Sequence, residues 1–197
     1  MKFFLLVFGF SLNISMLSGQ SFEGKLTYWI EYGSKVDTHY VYIRGDSIRI
    51  DLSKWLDAST SWYFIGKNQH FIYSKWKKKY LEYPIIKPDQ FKEVLAYDLK
   101  SDQDSITLYY KDKTLNTELN IETTSSSFLK LHPQLKVPFL KGIFIQLYVL
   151  NGSGYIVLES KTNLQFNVMG EKRSNRSRLI AIDRTKPSVE LFEMKIN

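Results

Sequence analysis

The sequence predicts a mainly β protein organised as a strongly curved antiparallel sheet, either an open barrel or a sandwich, with one helix packed against it. Three observations carry that expectation. Apolar and polar residues alternate over most of the chain, tight turn signals separate the alternating runs, and 13 Tyr, 13 Phe and 4 Trp supply large side chains for a core. The chain has no cysteine, so apolar burial rather than a disulfide framework must hold the fold, and no N-terminal cysteine offers a lipid anchor.

The elements follow in order. Residues 1–19 read as an export signal: Lys2 gives a positive start, Phe3 to Phe10 an apolar run, and Ser18 and Gly19 a small-residue end. The run is too short to span a bilayer. The mature chain is expected to begin near Gln20 or Ser21 and to work in the periplasm or outside the cell, with residues 20–197 forming one domain. Leu26, Tyr28, Ile30 and Tyr32 alternate with Lys25, Thr27, Trp29 and Glu31 as a strand with one buried face. Val41 and Ile43, then Ile48, Ile50 and Leu52, flank Arg44-Gly45-Asp46-Ser47 and signal a hairpin. Ser61–Ile65, His70–Ser74 and Tyr80–Tyr83 continue the meander through Gly66-Lys67-Asn68-Gln69 and the basic turn Lys75-Trp76-Lys77-Lys78.

From Pro88 to Lys100 the period changes. Phe91, Val94, Leu95 and Leu99 fall on one helical face, Pro88 suits a first turn, and Asp89 suits the positive end of a helix dipole. Ile106–Lys111 and Leu115–Glu122 then read as paired strands, Thr123–Ser127 as a polar break, and Phe128–Pro138 as a loop with a helical turn between its two prolines. Ile143, Ile145, Leu147 and Val149 make a strand, and Asn151-Gly152-Ser153-Gly154 turns into Tyr155–Glu159. Leu164, Phe166 and Val168 extend the alternation, Lys172–Arg178 is a basic loop, and Leu179–Asp183 is a last strand.

Catalytic chemistry finds little support. His39, His70 and His132 are far apart and lack metal-ligand spacing. The turn at Asn151 leads into a strand, whereas a phosphate loop leads into a helix. No Gly-x-Ser-x-Gly elbow and no thiol nucleophile is present. Asp46 with Asp51, or Glu31 with Asp37, would make an acid and base pair only if they left the solvated face that such residues ordinarily occupy. The expectation is a non-enzymatic protein needing neither cofactor nor metal. A formal charge of +7 favours anionic lipid headgroups or acidic polymers as partners, and nucleic acid is not expected for an exported chain.

Phe22-Glu23-Gly24-Lys25-Leu26-Thr27-Tyr28, with Tyr40-Val41-Tyr42-Ile43-Arg44-Gly45-Asp46-Ser47-Ile48-Arg49-Ile50, resembles the opening of exported bacterial proteins related to the periplasmic lipoprotein carriers LolA and LolB. Lys141-Gly142-Ile143 and Leu191-Phe192-Glu193-Met194 are similar to the close of those relatives. The resemblance covers residues 22–83 and 142–194, and Tyr155–Arg178 reads as a lengthened hairpin beside it. It implies a half-barrel whose concave face, lidded by one or two helices, holds acyl chains.

Two groups of candidate residues follow. Leu26, Tyr28, Ile30, Val41, Ile43, Ile48, Ile50, Trp62, Phe64 and Phe71, lidded by Phe91 and Leu95, would line a site for a lipid or another apolar molecule. Lys75, Trp76, Lys77, Lys78 and Lys79 would meet an anionic membrane surface. The alternative is a fully packed structural or interaction module that meets another envelope protein through its aromatic outer face.

Overall fold

The computed structural model describes residues 21–52, 58–84, 92–101, 106–116, 121–137, 144–146, 150–151, 153–166 and 172–194. The strands are β1 (Gly24–Tyr32), β2 (Lys35–Arg44), β3 (Ser47–Asp51), β4 (Ala58–Phe64), β5 (Gln69–Ser74), β6 (Lys79–Pro84), β7 (Lys92–Ser101), β8 (Ile106–Asn116), β9 (Ile121–Lys136), β10 (Phe144–Gln146), β11 (Leu150–Asn151), β12 (Tyr155–Phe166) and β13 (Lys172–Asp183). Eleven of them form one antiparallel sheet in the order β6-β5-β4-β3-β2-β1-β13-β12-β9-β8-β7, and β10 pairs with β11 apart from it. The sheet is not closed into a barrel, so β6 and β7 are its free edges.

Alternation does what the sequence leads one to expect in the first meander. Within β1, Leu26, Tyr28 and Ile30 point to one face and are buried, while Lys25, Thr27 and Trp29 between them are only partly covered. Register carries this face across the hairpins, Leu26 opposite Val41 and Val41 opposite Ile50. These residues join Ile106, Leu108, Leu129, Leu131, Ile156 and Val157 in a single core cluster. The sheet therefore curls until strands far apart in its order share one interior, where each buried aliphatic side chain contributes about 1.5–3 kcal/mol. The Tyr28 hydroxyl donates to the Val157 carbonyl at 2.8 Å, joining β1 to β12 through the core. The Phe22 amide donates to Lys136 and the Val137 amide to Gly154, which fastens the start of the domain to the end of β9.

The structure corrects the sequence-based reading in several places. Lys92–Ser101 is a strand antiparallel to β8, so the helix expected over Pro88–Lys100 is absent there, and Phe91 lies outside the described residues. The register of β7 shifts between Val94 and Ala96, leaving Leu95 as an extra residue. An added residue breaks the period of two that would otherwise mark the run as a strand. Thr123–Lys136, expected to be a break and a loop, belongs to the 16-residue strand β9, and Lys172–Arg178, expected to be a basic loop, is the first half of β13. Leu115–Glu122 does not form one strand: β8 ends at Asn116 and β9 begins at Ile121. Among the described residues the helical elements are two 3-10 turns, Ile65–Lys67 and Val189–Phe192, and no helix is long and apolar enough to cross a membrane. A helical lid is not seen among them, and residues 1–20 lie outside them.

Candidate functional site

The hairpin β5–β6 carries the strongest local signal. Its turn, Lys75 to Lys78, is closed by the Lys77 amide donating to Ser74 Oγ at 3.1 Å, with Lys78 in the left-handed region at φ 49°. Ser74 is buried and anchors the turn, whereas Lys75, Trp76, Lys77, Lys78 and Lys79 are all exposed. Trp76 is 90% exposed, an unusual position for the largest apolar side chain. Below the tip, the Tyr73 and Tyr80 rings lie 5.2 Å apart and Trp62 meets Tyr80 edge-on at 5.4 Å. The tip thus stands on an aromatic base that restrains it.

The proposed apolar lining divides in three. Leu26, Tyr28, Ile30, Val41, Ile43, Ile48 and Ile50 do come together, but each is no more than 1% exposed and packed in the core cluster. Trp62, Phe64 and Phe71 lie on the opposite face, because Trp62 stands across from Arg49 and Phe71 across from Trp62. There Trp62 is covered by the C-terminal segment, its indole nitrogen 3.4 Å from the Leu191 carbonyl, which also accepts from Arg49 at 3.0 Å. Arg49 in turn lies over the rings of Tyr42 and Trp62. Leu95 is on an edge strand rather than on a lid.

Sequence reasoning missed the inner face near the β6 edge. Tyr63 stacks on His70 with 4.0 Å between ring centroids and 9° between planes, and His70 approaches Tyr83 at 5.9 Å. Ile72 and Leu81 lie in the neighbouring row, half-buried, and Tyr83 is exposed. Burial lowers the His70 pKa from 6.5 to about 4, so the imidazole is neutral at physiological pH. The alternation of Tyr63, His70 and Ile72 with Trp62 and Phe71 was the available signal, but both sets are apolar.

Three of the four carboxylates considered as acid and base groups, Asp46, Asp51 and Asp37, have structural partners. Asp51 accepts from Arg49 at 2.8 Å, and Asp46 accepts the Gly66 amide at 3.2 Å, holding the turn after β4. Asp37 lies 3.8 Å from the fully buried His39, whose pKa is lowered by burial against the opposing pull of Asp37. Among the described residues no group of three or more His, Cys, Asp or Glu side chains converges as a metal site would require. No family model matches this chain, and no curated protein is found to be similar to it.

Proposed function

We propose that this chain is an exported, non-enzymatic module of the cell envelope, periplasmic or secreted, that docks on anionic membrane surfaces through the tip of the β5–β6 hairpin. The observation that carries the reading is Trp76, almost fully exposed between Lys75 and Lys77 with Lys78 and Lys79 beside them. An indole and lysine stems suit the headgroup region, where each cation near an anionic surface contributes about 1 kcal/mol. Export is supported by the positive start and apolar run at Lys2 to Phe10. The filled core around Tyr28 favours a docking module over a container.

Co-sedimentation with phosphatidylcholine vesicles, with and without phosphatidylglycerol, tests this reading. The Lys77→Ala/Lys78→Ala/Lys79→Ala variant is expected to lose roughly tenfold or more of its affinity for the anionic vesicles. Trp76→Ala is expected to weaken binding to them as well. Unchanged affinity in both variants removes the hairpin from the function.

One observation favours a second reading, carriage of a lipid or another apolar molecule in a lidded half-barrel. The sheet stays open, and its inner face toward β6 leaves Ile72, Leu81 and Tyr83 partly uncovered. A ligand there would cover these residues and not the seven core positions first considered. Mass spectrometry of organic extracts from natively purified protein decides it: stoichiometric lipid supports carriage, and a clean extract with no uptake of a fluorescent fatty acid ends it.

A further inference from the structure

A second charged surface lies on different strands, on the outward face of β8, β9, β12 and β13. Strand register places Arg178, Arg176 and Lys172 on this face from β13, and Glu159 and Lys161 from β12. Lys130 and Phe128 follow from β9, with Tyr109 and Lys111 from β8. Two carboxylates answer two of the cations: Glu159 pairs with Arg178 at 3.3 Å, and Glu122 with Lys113. Lys111, Lys130, Lys161, Lys172 and Arg176 have no carboxylate partner among the described residues, and Glu31, opposite Arg176 on β1, forms no ion pair with it.

Lys161 and Arg176 stand directly opposite each other in the β12–β13 register. Like charges so placed repel, and Glu31 opposite Arg176 and Glu159 opposite Lys130 and Arg178 offset this only in part, so the face stays net positive toward an anionic occupant. The surface is a trough. One hollow of about 310 Å³ lies among Trp29, Phe128, Lys130, Lys161, Arg176 and Arg178, and another of about 490 Å³ continues along the same strands toward Tyr109, Lys111 and Lys172. At the first hollow the side chains of Ser160 and Ser177 are buried and bond to each other at 2.7 Å. Phe128 and Tyr109, a cross-strand pair 54% and 40% exposed, supply apolar platforms in the same trough.

We infer that this trough binds an extended anionic polymer, an acidic glycan chain lying along β12 and β13. From Arg178 to Lys172 the strand spans about 20 Å, with outward side chains repeating about every 7 Å. A linear chain of anions can follow that spacing, its sugar faces resting on Phe128 and Tyr109. Cations set in a row along two strands offer a linear occupant several contacts at once, and open hollows between their side chains admit a single strand more readily than a flat bilayer.

The test uses the whole secreted chain with heparin and polygalacturonate as probes, and phosphatidylglycerol vesicles alongside. Lys161→Glu/Arg176→Glu is expected to weaken binding to both polymers about tenfold or more and to flatten its salt dependence. Lys77→Glu/Lys78→Glu, which changes the net charge equally at the hairpin tip, is expected to change polymer binding less than about twofold. Phe128→Ala is expected to weaken polymer binding with the salt dependence unchanged. The reversal exchanges one like-charged pair for another and sets a second carboxylate opposite Glu31, so Lys161→Ala/Arg176→Ala, which removes the repulsion, is the control: it should also lose polymer binding while its unfolding midpoint stays the same or rises. Equal loss in the two charge-reversal variants, or wild-type binding to vesicles with none to either polymer, overturns the inference. The vesicle result for the tip variant bears only on the hairpin, so the two ideas fail separately.

Discussion

Gly24 begins β1 at φ 150°, and a Cβ built there would lie 2.2 Å from the Asp183 carbonyl oxygen of β13. The clash is with backbone, which no rotamer change relieves. Gly24→Ala is therefore expected to destabilise the protein by more than about 2 kcal/mol, whereas Gly45→Ala, at φ 54° in open space, should cost about 1–2 kcal/mol for the left-handed backbone alone. Urea unfolding midpoints of the two variants check the ranking. His70 gives a pH dependence of definite sign. Its unfolded imidazole takes a proton near pH 6.5, while the folded one, held in apolar surroundings, resists until about pH 4. Stability is thus complete above pH 6.5 and falls as the pH drops from 6.5 to 4. His70→Phe should lessen the fall in that window, and part of it should persist because burial also lowers His39 and His132. A pH profile of His70→Phe as steep as that of the wild type would contradict the assignment. At this scale the sequence conveyed the inward set around Leu26 and Ile50 but not the side taken by Trp62, Phe64 and Phe71. Aromatic and apolar residues occupy both parities of β4 and β5, so alternation alone cannot choose a face, and only the pairing of Trp62 with Arg49 and of Phe64 with Ser47 does.

The strands that escaped sequence reading are those whose regularity is broken. In β7 a single added residue, Leu95, spoils the period of two. In β9, His132 to Leu135 stand opposite only Ile156 of β12, so Pro133 falls in a bulge and beyond the last residue paired with β8. A proline at such a place loses no ladder hydrogen bond. His132 repairs the break: its Nδ1 accepts the Gln134 amide at 3.2 Å and the Leu135 amide at 3.1 Å. His132→Ala should remove both and cost about 1 kcal/mol, as loss of a local cap does, and amide exchange at Leu135 should quicken selectively. Unaltered exchange there would show that the bulge holds without the ring. Serines misled for a related reason. Ser125 and Ser127 are buried on the inner face of β9, where Ser127 bonds to Thr162 of β12 at 2.9 Å. The partner of Ser127 lies 35 residues away, and until β12 is paired the two serines look like the polar break of a loop. The β5–β6 hairpin, by contrast, was legible because its strands and its turn are contiguous.

The whole sheet depends on a single distant pairing. Hairpins build β1 to β6 and, separately, β7 to β9, to which β12 and β13 are added. Among the described residues the strand pairing that joins the halves is the β1–β13 ladder, from Lys25 opposite Asp183 to Tyr32 opposite Asn175, reinforced by the Tyr28–Val157 and Phe22–Lys136 hydrogen bonds. That closure costs loop entropy before it returns stability, which places folding at the slow end for a domain of this size. Once formed, the halves share their interior, since Ile48 and Ile50 of β3 belong to the same cluster as Leu108 of β8 and Leu129 of β9. Neither half has a core of its own among the described residues, so they should not unfold apart. The tryptophans make this testable. Trp29, Trp55, Trp62 and Trp76 all precede β6, and with Trp29, which borders β9, β12 and β13, replaced by phenylalanine in every protein compared (Trp29→Phe), indole fluorescence reports chiefly on the first half, while far-ultraviolet circular dichroism reports on the entire sheet. Leu108→Ala removes a fully buried side chain from the second half and should cost about 2–5 kcal/mol. If the interior is common, the fluorescence midpoint moves to lower urea by the same interval as the dichroism midpoint, and the two curves superimpose in wild type and variant. A fluorescence transition that stays in place while the dichroism divides into two steps would mean that β1–β6 stands by itself and that the β1–β13 ladder only tethers two domains.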